Sequence, residues 1–481
     1  MSDADSDIIC HVTELDRILD NNFVDEVGIT LDTSLPPIFY VDGKLGIAKT
    51  VLKPLFKFAL QSVYKFKFST RITASEHVSK HALSITRLVL LIKGDFPIAF
   101  DIRKQLVEVG ALPVRDEIAF TSLLYSRHPK CPSGWHHRRW CLLRTARTDN
   151  KLSAAEVETE RELTRVMAEK HPKNYYAWMH RLWVVQFMSK YQLEDELYFT
   201  KTWLQGHVSD HSAVNHRIQV VKRILEQVDY IAYIVHGESH DTIINVSDWV
   251  LFLERMFQES EELIWSRPGH EALWYLRRSL LEILLTHLQK YLGPEISLCM
   301  VGDVFVSAVE AERLSLVTAT STETSAGRDP PSETANNNSF SFALLSAYLA
   351  QHPPASTDAP SQLRLVQLVV SWLLSLLQYE MHFVQRCIDH TTAWDYQAQR
   401  AMATRYAAFV LDRVLLYTTV EHGVESESNS NCDKCGGGGD GVDAQVTSGS
   451  GLTLREVLSL SAKKIFHSLQ SEGKFVLLYF L

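Results

Sequence analysis

The sequence predicts an all-α fold, a right-handed alpha-alpha solenoid in which helical hairpins stack into a TPR-like crescent. Three observations predict it. An aromatic or apolar anchor followed three residues later by Arg occurs five times, at Phe100/Arg103, Trp135/Arg138, Trp178/Arg181, Val214/Arg217 and Trp274/Arg277. The anchors are 35, 43, 36 and 60 residues apart, which brackets the length of a helix-turn-helix repeat with connections of variable length. Alternating strand patterns of useful length are scarce.

Composition suits this class. Apolar residues make up 46% and charged residues 22% of 481, ample material for a core. A net charge of −9 argues against nucleic-acid binding, because phosphate backbones select strongly basic surfaces. Locally the balance reverses: Arg127 to Arg147 holds six Lys or Arg and no acid, so an anion site is expected there. The acidic start, MSDADSDIICHVTEL, lacks the basic flank and apolar run of a secretory signal, and the seven cysteines make no disulfide framework. These point to a cytoplasmic protein.

Along the chain, the expected order is an N-terminal helical or extended cap over 1–80, helical-hairpin repeats over 81–317, and a disordered loop over 318–339. Further helical repeats over 340–422, a disordered Gly/Ser-rich loop over 423–451 and a terminal helical segment over 452–481 follow. Both loops are rich in Ser, Gly, Asn and acids with little to bury. LRLVQLVVSWLLSLL from Leu363 is broken by Arg364 and Gln367 and falls short of the roughly 20 residues a bilayer needs. It reads as a buried helix, with no membrane insertion.

Within one repeat the elements can be justified in turn. In SAAEVETERELTRVMAEKHP (153–172), Leu163, Val166, Met167 and Lys170 share a helix face, and Ser153 with Glu156 makes a capping-box sequence. His171-Pro172 ends that helix, because proline disfavours helical geometry in the residue before it. A second helix carrying Trp178 and Arg181 begins just beyond. Residues i and i+3 share a helix face, so each anchor is expected to fill the groove against the next hairpin while its Arg pairs with an acid or a carbonyl across the joint. His136 and His137 read as covering a helix face. Cys131 reads as a small filler in a turn, since no base stands at fixed spacing to activate it. Cys432-Asp-Lys-Cys435 is half of a zinc pattern without its other half, so no metal is assigned to this chain.

Asn174-Tyr175-Tyr176-Ala177-Trp178-Met179-His180-Arg181 resembles the signature repeat of protein prenyltransferase α subunits, and Pro129 to Trp140 resembles the preceding unit. The resemblance covers about residues 90–285. Within the family it is strongest to the α-like partner in the third type of protein geranylgeranyltransferase, through Asp95 to Arg103, HVSDHS and RPGHEALWYLRRSLL.

The resemblance implies a crescent that wraps a catalytic β subunit like that of Rab geranylgeranyltransferase, a chain inactive alone, and zinc carried by the β subunit. The co-substrate would be geranylgeranyl diphosphate and the acceptor a protein cysteine near a C-terminus, for instance on a SNARE-type protein. It also implies that Lys130 reaches the diphosphate, with Asn174, Tyr175 and Tyr176 near it and Lys173 a weaker candidate. Cys131-Pro132 departs from the Asn-Tyr expected after Lys130. Two other readings stay open: a non-catalytic TPR-like scaffold or adaptor, and the α subunit of a farnesyltransferase or Rab-type enzyme.

Overall fold

A computed structural model describes residues 3–69, 75–145, 151–235, 247–292, 359–389 and 396–418. The first helix, α1 (Asp3–Asn21), buries Val12, Leu15 and Ile18 on one face. Three short strands follow: β1 (Glu26–Thr30), β2 (Ile38–Val41) and β3 (Lys44–Ala48). They form a sheet in the order β1-β3-β2, with β3 parallel to β1 and antiparallel to β2. Asp42 and Gly43 both take positive φ, 47° and 79°, which lets a two-residue turn join β2 to β3. Helix α2 (Lys49–Ser69) then covers this sheet, its Leu55, Ala59 and Val63 sharing one core with Leu45 and Ile47.

Helices make up the rest of the described chain, and they come in pairs: α3 (Glu76–Lys93) with α4 (Pro97–Glu108), α5 (Val114–Arg127) with α6 (Pro132–Thr145), α7 (Ala154–Lys170) with α8 (Tyr175–Val185), α9 (Lys190–Gly206) with α10 (His211–Val235), α11 (Ser247–Ser266) with α12 (Glu271–Leu292), and α13 (Ala359–Asp389) with α14 (Tyr396–Thr418). The fold is thus the helical repeat array expected, with the small sheet as an addition near the N-terminus. The expected boundary at residue 80 falls inside α3, because the first hairpin begins at Glu76. The apolar run from Leu363 lies in α13, where Val369, Trp372, Leu373, Leu376 and Leu377 are buried. No helix of the described residues is long and apolar enough to cross a membrane. Both expected disordered loops, the terminal helical segment and Cys432/Cys435 lie outside the described residues.

Two compact units emerge, one of Met1–Thr200 with Asp210–Ile224 and one of Lys201–Ser209 with Leu225–Leu481. In the first, hairpins α3/α4, α5/α6 and α7/α8 stack in sequence, with α4 against α6 and α6 against α8. The capping box of α7 is formed: the Glu156 N–H donates to Ser153 Oγ and the Ser153 N–H to the Glu156 carboxylate at 2.8 Å. The core face of α7 is rotated from the expected one, carrying Val157, Glu160, Thr164, Met167 and Ala168. Leu163 and Val166 are half-buried and Lys170 is exposed, because a glutamate and a threonine occupy the centre of the face.

Candidate functional site

Each repeat arginine is buried and attached to its own hairpin. One guanidinium nitrogen, Nη1, donates to a hydroxyl 17 residues earlier: Arg103 to Thr86, Arg138 to Thr121, Arg181 to Thr164, Arg217 to Thr200 and Arg277 to Ser260. From Arg138 onward, Nη1 also donates to the carbonyl 20 residues earlier, at Ile118, Arg161, Leu197 and Phe257. The register inside a hairpin is therefore constant. The variation in anchor spacing falls after each arginine, and α10, at 25 residues against 14 for α6 and 11 for α8, takes up part of the extra length after Val214.

The other edge of the guanidinium crosses the joint. Nε and Nη2 grip a glutamate of the following hairpin in a two-pronged pair: Arg103 with Glu117, Arg138 with Glu160, Arg181 with Glu196 and, in the second unit, Arg277 with Glu380. The fork geometry of guanidinium matches a carboxylate, so two charge-assisted bonds form at each joint. The same glutamate also meets a histidine 20 residues later in its own hairpin: Glu117 with His137, Glu160 with His180 and Glu196 with His216, at 2.7 to 2.8 Å. In the α13/α14 pair the Tyr406 hydroxyl takes the histidine's place, donating to Glu380 at 2.9 Å. Anchor rings rest on these groups, Phe100 on His137, Trp135 on His180, Trp178 on His216 and Trp274 on Tyr406, with centroids 4.9 to 5.4 Å apart.

Charge in these joints is fixed by burial and pairing together. Desolvation alone would raise the carboxyl of Glu117 or Glu160, but Arg103 or Arg138 and the histidine hydrogen bond outweigh it and hold each near pKa 2. Burial pushes the His180 imidazole down to about 4 despite the pull of Glu160. His180 is therefore neutral at pH 7. Its Nε2–H donates to Glu160, and its Nδ1 accepts from Arg139 Nε at 3.4 Å. His137 is not a surface histidine, contrary to the sequence reading. It is buried in the first of these joints, and only His136 is exposed.

The residues that the resemblance assigns to the diphosphate lie in the turns preceding α6 and α8 and in the first turn of α8. Lys130 is exposed in the α5–α6 turn. Asn174 departs from expectation: it is fully buried as the N-cap of α8, its Oδ1 accepting from the Ala177 N–H and its Nδ2 donating to the Pro129 carbonyl at 3.0 Å. It is a brace between two turns, because the amide that could meet a ligand is already engaged by backbone groups on both sides. Trp135 Nε1 donates to that same carbonyl at 2.9 Å, so the backbone next to Lys130 is held from two directions.

Tyr175 is 55% exposed, whereas Tyr176 packs half-buried against the cluster of Tyr125, Trp135, Met167 and Ala177. Lys173 is exposed and takes a left-handed φ of 59° just before the Asn174 cap. Cys131 does for α6 what Asn174 does for α8. Its sulfur accepts from the Gly134 N–H at 3.2 Å, and burial pushes its thiol up to about 11. The thiol is a cap, as its replacement of asparagine allows. Among the described residues no group of three or more His, Cys, Asp or Glu could hold a metal ion.

The glutamates and histidines were missed by sequence reasoning although a signal for them exists. The first helix of the hairpin reads Glu-x-x-(Phe or Leu)-Thr at 117–121, 160–164 and 196–200, and His-Arg follows 16 residues after each Thr. Phe120 and Phe199 in this pattern lie under the guanidinium groups of Arg103 and Arg181, at 4.1 and 4.2 Å.

These joints define a class of protein, a helical-hairpin repeat array with buried arginine–glutamate locks between hairpins. The family described as "Protein prenyltransferase alpha subunit repeat" matches residues 114–145, 157–188 and 193–224, the α5/α6, α7/α8 and α9/α10 pairs. Three hairpins of the chain thus carry that family's repeat. It is 29% identical over 319 residues to "Protein prenyltransferase alpha subunit repeat-containing protein 1" of Danio rerio, covering 58% of this chain and 74% of that protein. It is also 29% identical over 304 residues to "Protein prenyltransferase alpha subunit repeat-containing protein 1-A" of Xenopus laevis, covering 55% and 69%. The Homo sapiens protein 1 is 27% identical over 325 residues, covering 59% and 78%. The same arginine contacts at Arg103 and Arg277 carry the repeat beyond the matched residues on both sides.

Proposed function

We propose that the chain is the α-type subunit of a cytoplasmic heterodimeric protein geranylgeranyltransferase, paired with a catalytic β subunit like that of Rab geranylgeranyltransferase. The observation that carries this reading is the division of labour in the repeat. The buried Arg, Glu and His hold the joints, whereas Lys130 stands exposed on a turn braced by Asn174 and Trp135, in a chain whose relatives are named for the prenyltransferase α repeat. An adaptor would need the joints, but an exposed lysine on a braced turn is suited to meeting an anion.

The chemistry gives the lysine its task. When a protein thiolate attacks C1 of geranylgeranyl diphosphate, the C1–O bond breaks and negative charge gathers on the departing diphosphate. A positioned ammonium stabilises that charge more in the transition state than in the bound substrate. Zinc on the β subunit would hold the acceptor thiolate. In this chain Lys130 would bind diphosphate oxygens, and the Tyr175 hydroxyl would donate a further hydrogen bond. Asn174 acts one step away, by fixing the Pro129 carbonyl and hence the turn. Tyr176 contributes through packing.

The test is co-expression with the β subunit of Rab geranylgeranyltransferase, followed by transfer from labelled geranylgeranyl diphosphate to a protein ending in a cysteine motif. The proposal expects a co-purifying complex that transfers lipid, and no transfer by either chain alone. Failure of any β-type subunit to co-purify leaves the adaptor reading in its place.

A further inference from the structure

Two successive joints of the repeat differ at the position four residues after the anchor. In the joint between α6 and α8 that position is Arg139, whose guanidinium donates to the Met179 carbonyl and to Nδ1 of His180 and lies 5.7 Å from the ring of Trp183. In the joint between α8 and α10 the position is Leu182. The histidine there, His216, is 1% exposed; its Nε2 is engaged by Glu196, and its Nδ1 has no hydrogen-bond partner. Arg161 gives Glu196 a second cation at 3.1 Å but leaves His216 Nδ1 without a donor.

An unmet acceptor in a buried site costs on the order of 1–3 kcal/mol, so it marks a place that a donor would fill. Beside it lies an open groove of about 200 Å³ lined by Tyr175, Trp178, Met179 and Leu182 from α8 and by His211, Ser212, Asn215 and His216 from α10. A single water takes only about 30 Å³ of liquid volume, so one water does not fill the space. The wall offers the aromatic rings of Tyr175 and Trp178, the His216 imidazole and, at Asn215, the place that corresponds to Met179 one joint earlier.

We infer that this groove receives an arginine side chain from the β-type partner chain, which supplies in trans the guanidinium that Leu182 withholds in cis. The inference rests on the subunit reading above. The incoming group would donate to His216 Nδ1 and to the Asn215 carbonyl, with its plane against Tyr175. Guanidinium suits this task better than ammonium, since it offers several donors in a fixed plane that also stacks on aromatic faces.

Leu182→Arg should fill the groove from within and exclude the partner. The affinity of the full chain for the co-purified β subunit is measured by titration calorimetry, and N-acetyl-arginine amide is titrated into the full chain with 15N-labelled histidine. The expected results are an affinity at least tenfold weaker for Leu182→Arg than for wild type, and a saturable shift of the His216 Nδ1 resonance in wild type that Leu182→Arg does not show. Equal partner affinity for the two chains overturns the inference and leaves the subunit reading standing. Absence of a saturable His216 shift also overturns it. A wild-type chain that binds no β subunit removes both.

Discussion

Replacing Glu160 should cost far more than replacing any acid on the surface of the same helix. Glu160 is 1% exposed and accepts from Arg138 Nε at 2.8 Å, from Arg138 Nη2 at 2.7 Å and from His180 Nε2 at 2.8 Å. Glu160→Ala removes all three acceptor contacts and leaves the Arg138 guanidinium buried with uncompensated charge. Breaking a buried pair from one side costs about 3–5 kcal/mol. For a unit of this size each kcal/mol lowers Tm by roughly 2–4 °C, so a fall of about 6–20 °C is expected.

Two-partner geometry also predicts that Glu160→Gln is only a partial rescue, because its amide nitrogen must face either a guanidinium or an imidazole N–H. Glu162 is the control: its pair with Arg165 is solvent-exposed, and Glu162→Gln should change stability by less than about 1 kcal/mol. Urea and thermal unfolding followed by circular dichroism read both. A loss below about 1 kcal/mol for Glu160→Ala would refute the reasoning that the joints are held by these buried pairs.

Other outcomes follow from the same geometry. Because the folded pKa of His180 is about 4 and an unfolded histidine titrates near 6.5, the unfolded chain binds more protons between those values. Stability should therefore be full above pH 6.5 and decline as pH falls toward 4, an effect read as Tm against pH and shallower in His180→Gln. The glutamates act lower: Glu117 and Glu160, near 2, contribute stability that is lost from about pH 4.3 downward as pH approaches 2. Asn174→Ala should destabilise the chain by about 1–3 kcal/mol through loss of the cap and the Pro129 bond, read by urea unfolding, while Asn174→Asp keeps the cap and loses only the second contact. In native protein treated with iodoacetamide, peptide mapping should find Cys10 labelled well before Cys131, Cys141 and Cys387, which are buried with thiols pushed up to about 11 or 12.

What the sequence disclosed of the fold depended on how far apart the cooperating residues are. Trp135 and Arg138, or Trp178 and Arg181, sit on one turn of one helix, so their repetition is visible without any structure. Their glutamate partners lie 14, 22, 15 and 103 residues downstream, across connections of unequal length, and alignment on the arginines scatters them. The fixed offsets, 17 back to the hydroxyl and 20 from glutamate to histidine, became apparent only once the hairpins were paired.

The sheet escaped for a different reason. Its strands are four or five residues long, too short for alternation to stand out, although Asp42-Gly43 is a hairpin turn signal. At the site, Lys130 could be placed on an exposed turn from its neighbours alone. The role of Asn174 could not, since the carbonyl it holds belongs to a turn 45 residues earlier.

The most direct test of the central claim is the rate of lipid transfer by the assembled heterodimer under single-turnover conditions, comparing Lys130→Ala with Lys173→Ala. Both lysines are exposed on the equivalent turns of two successive repeats, so loss of surface charge alone would affect them alike. The account predicts that Lys130→Ala slows transfer at least tenfold while the complex stays intact, and that Lys173→Ala leaves the rate near wild type. Equal rates for the two variants would contradict it.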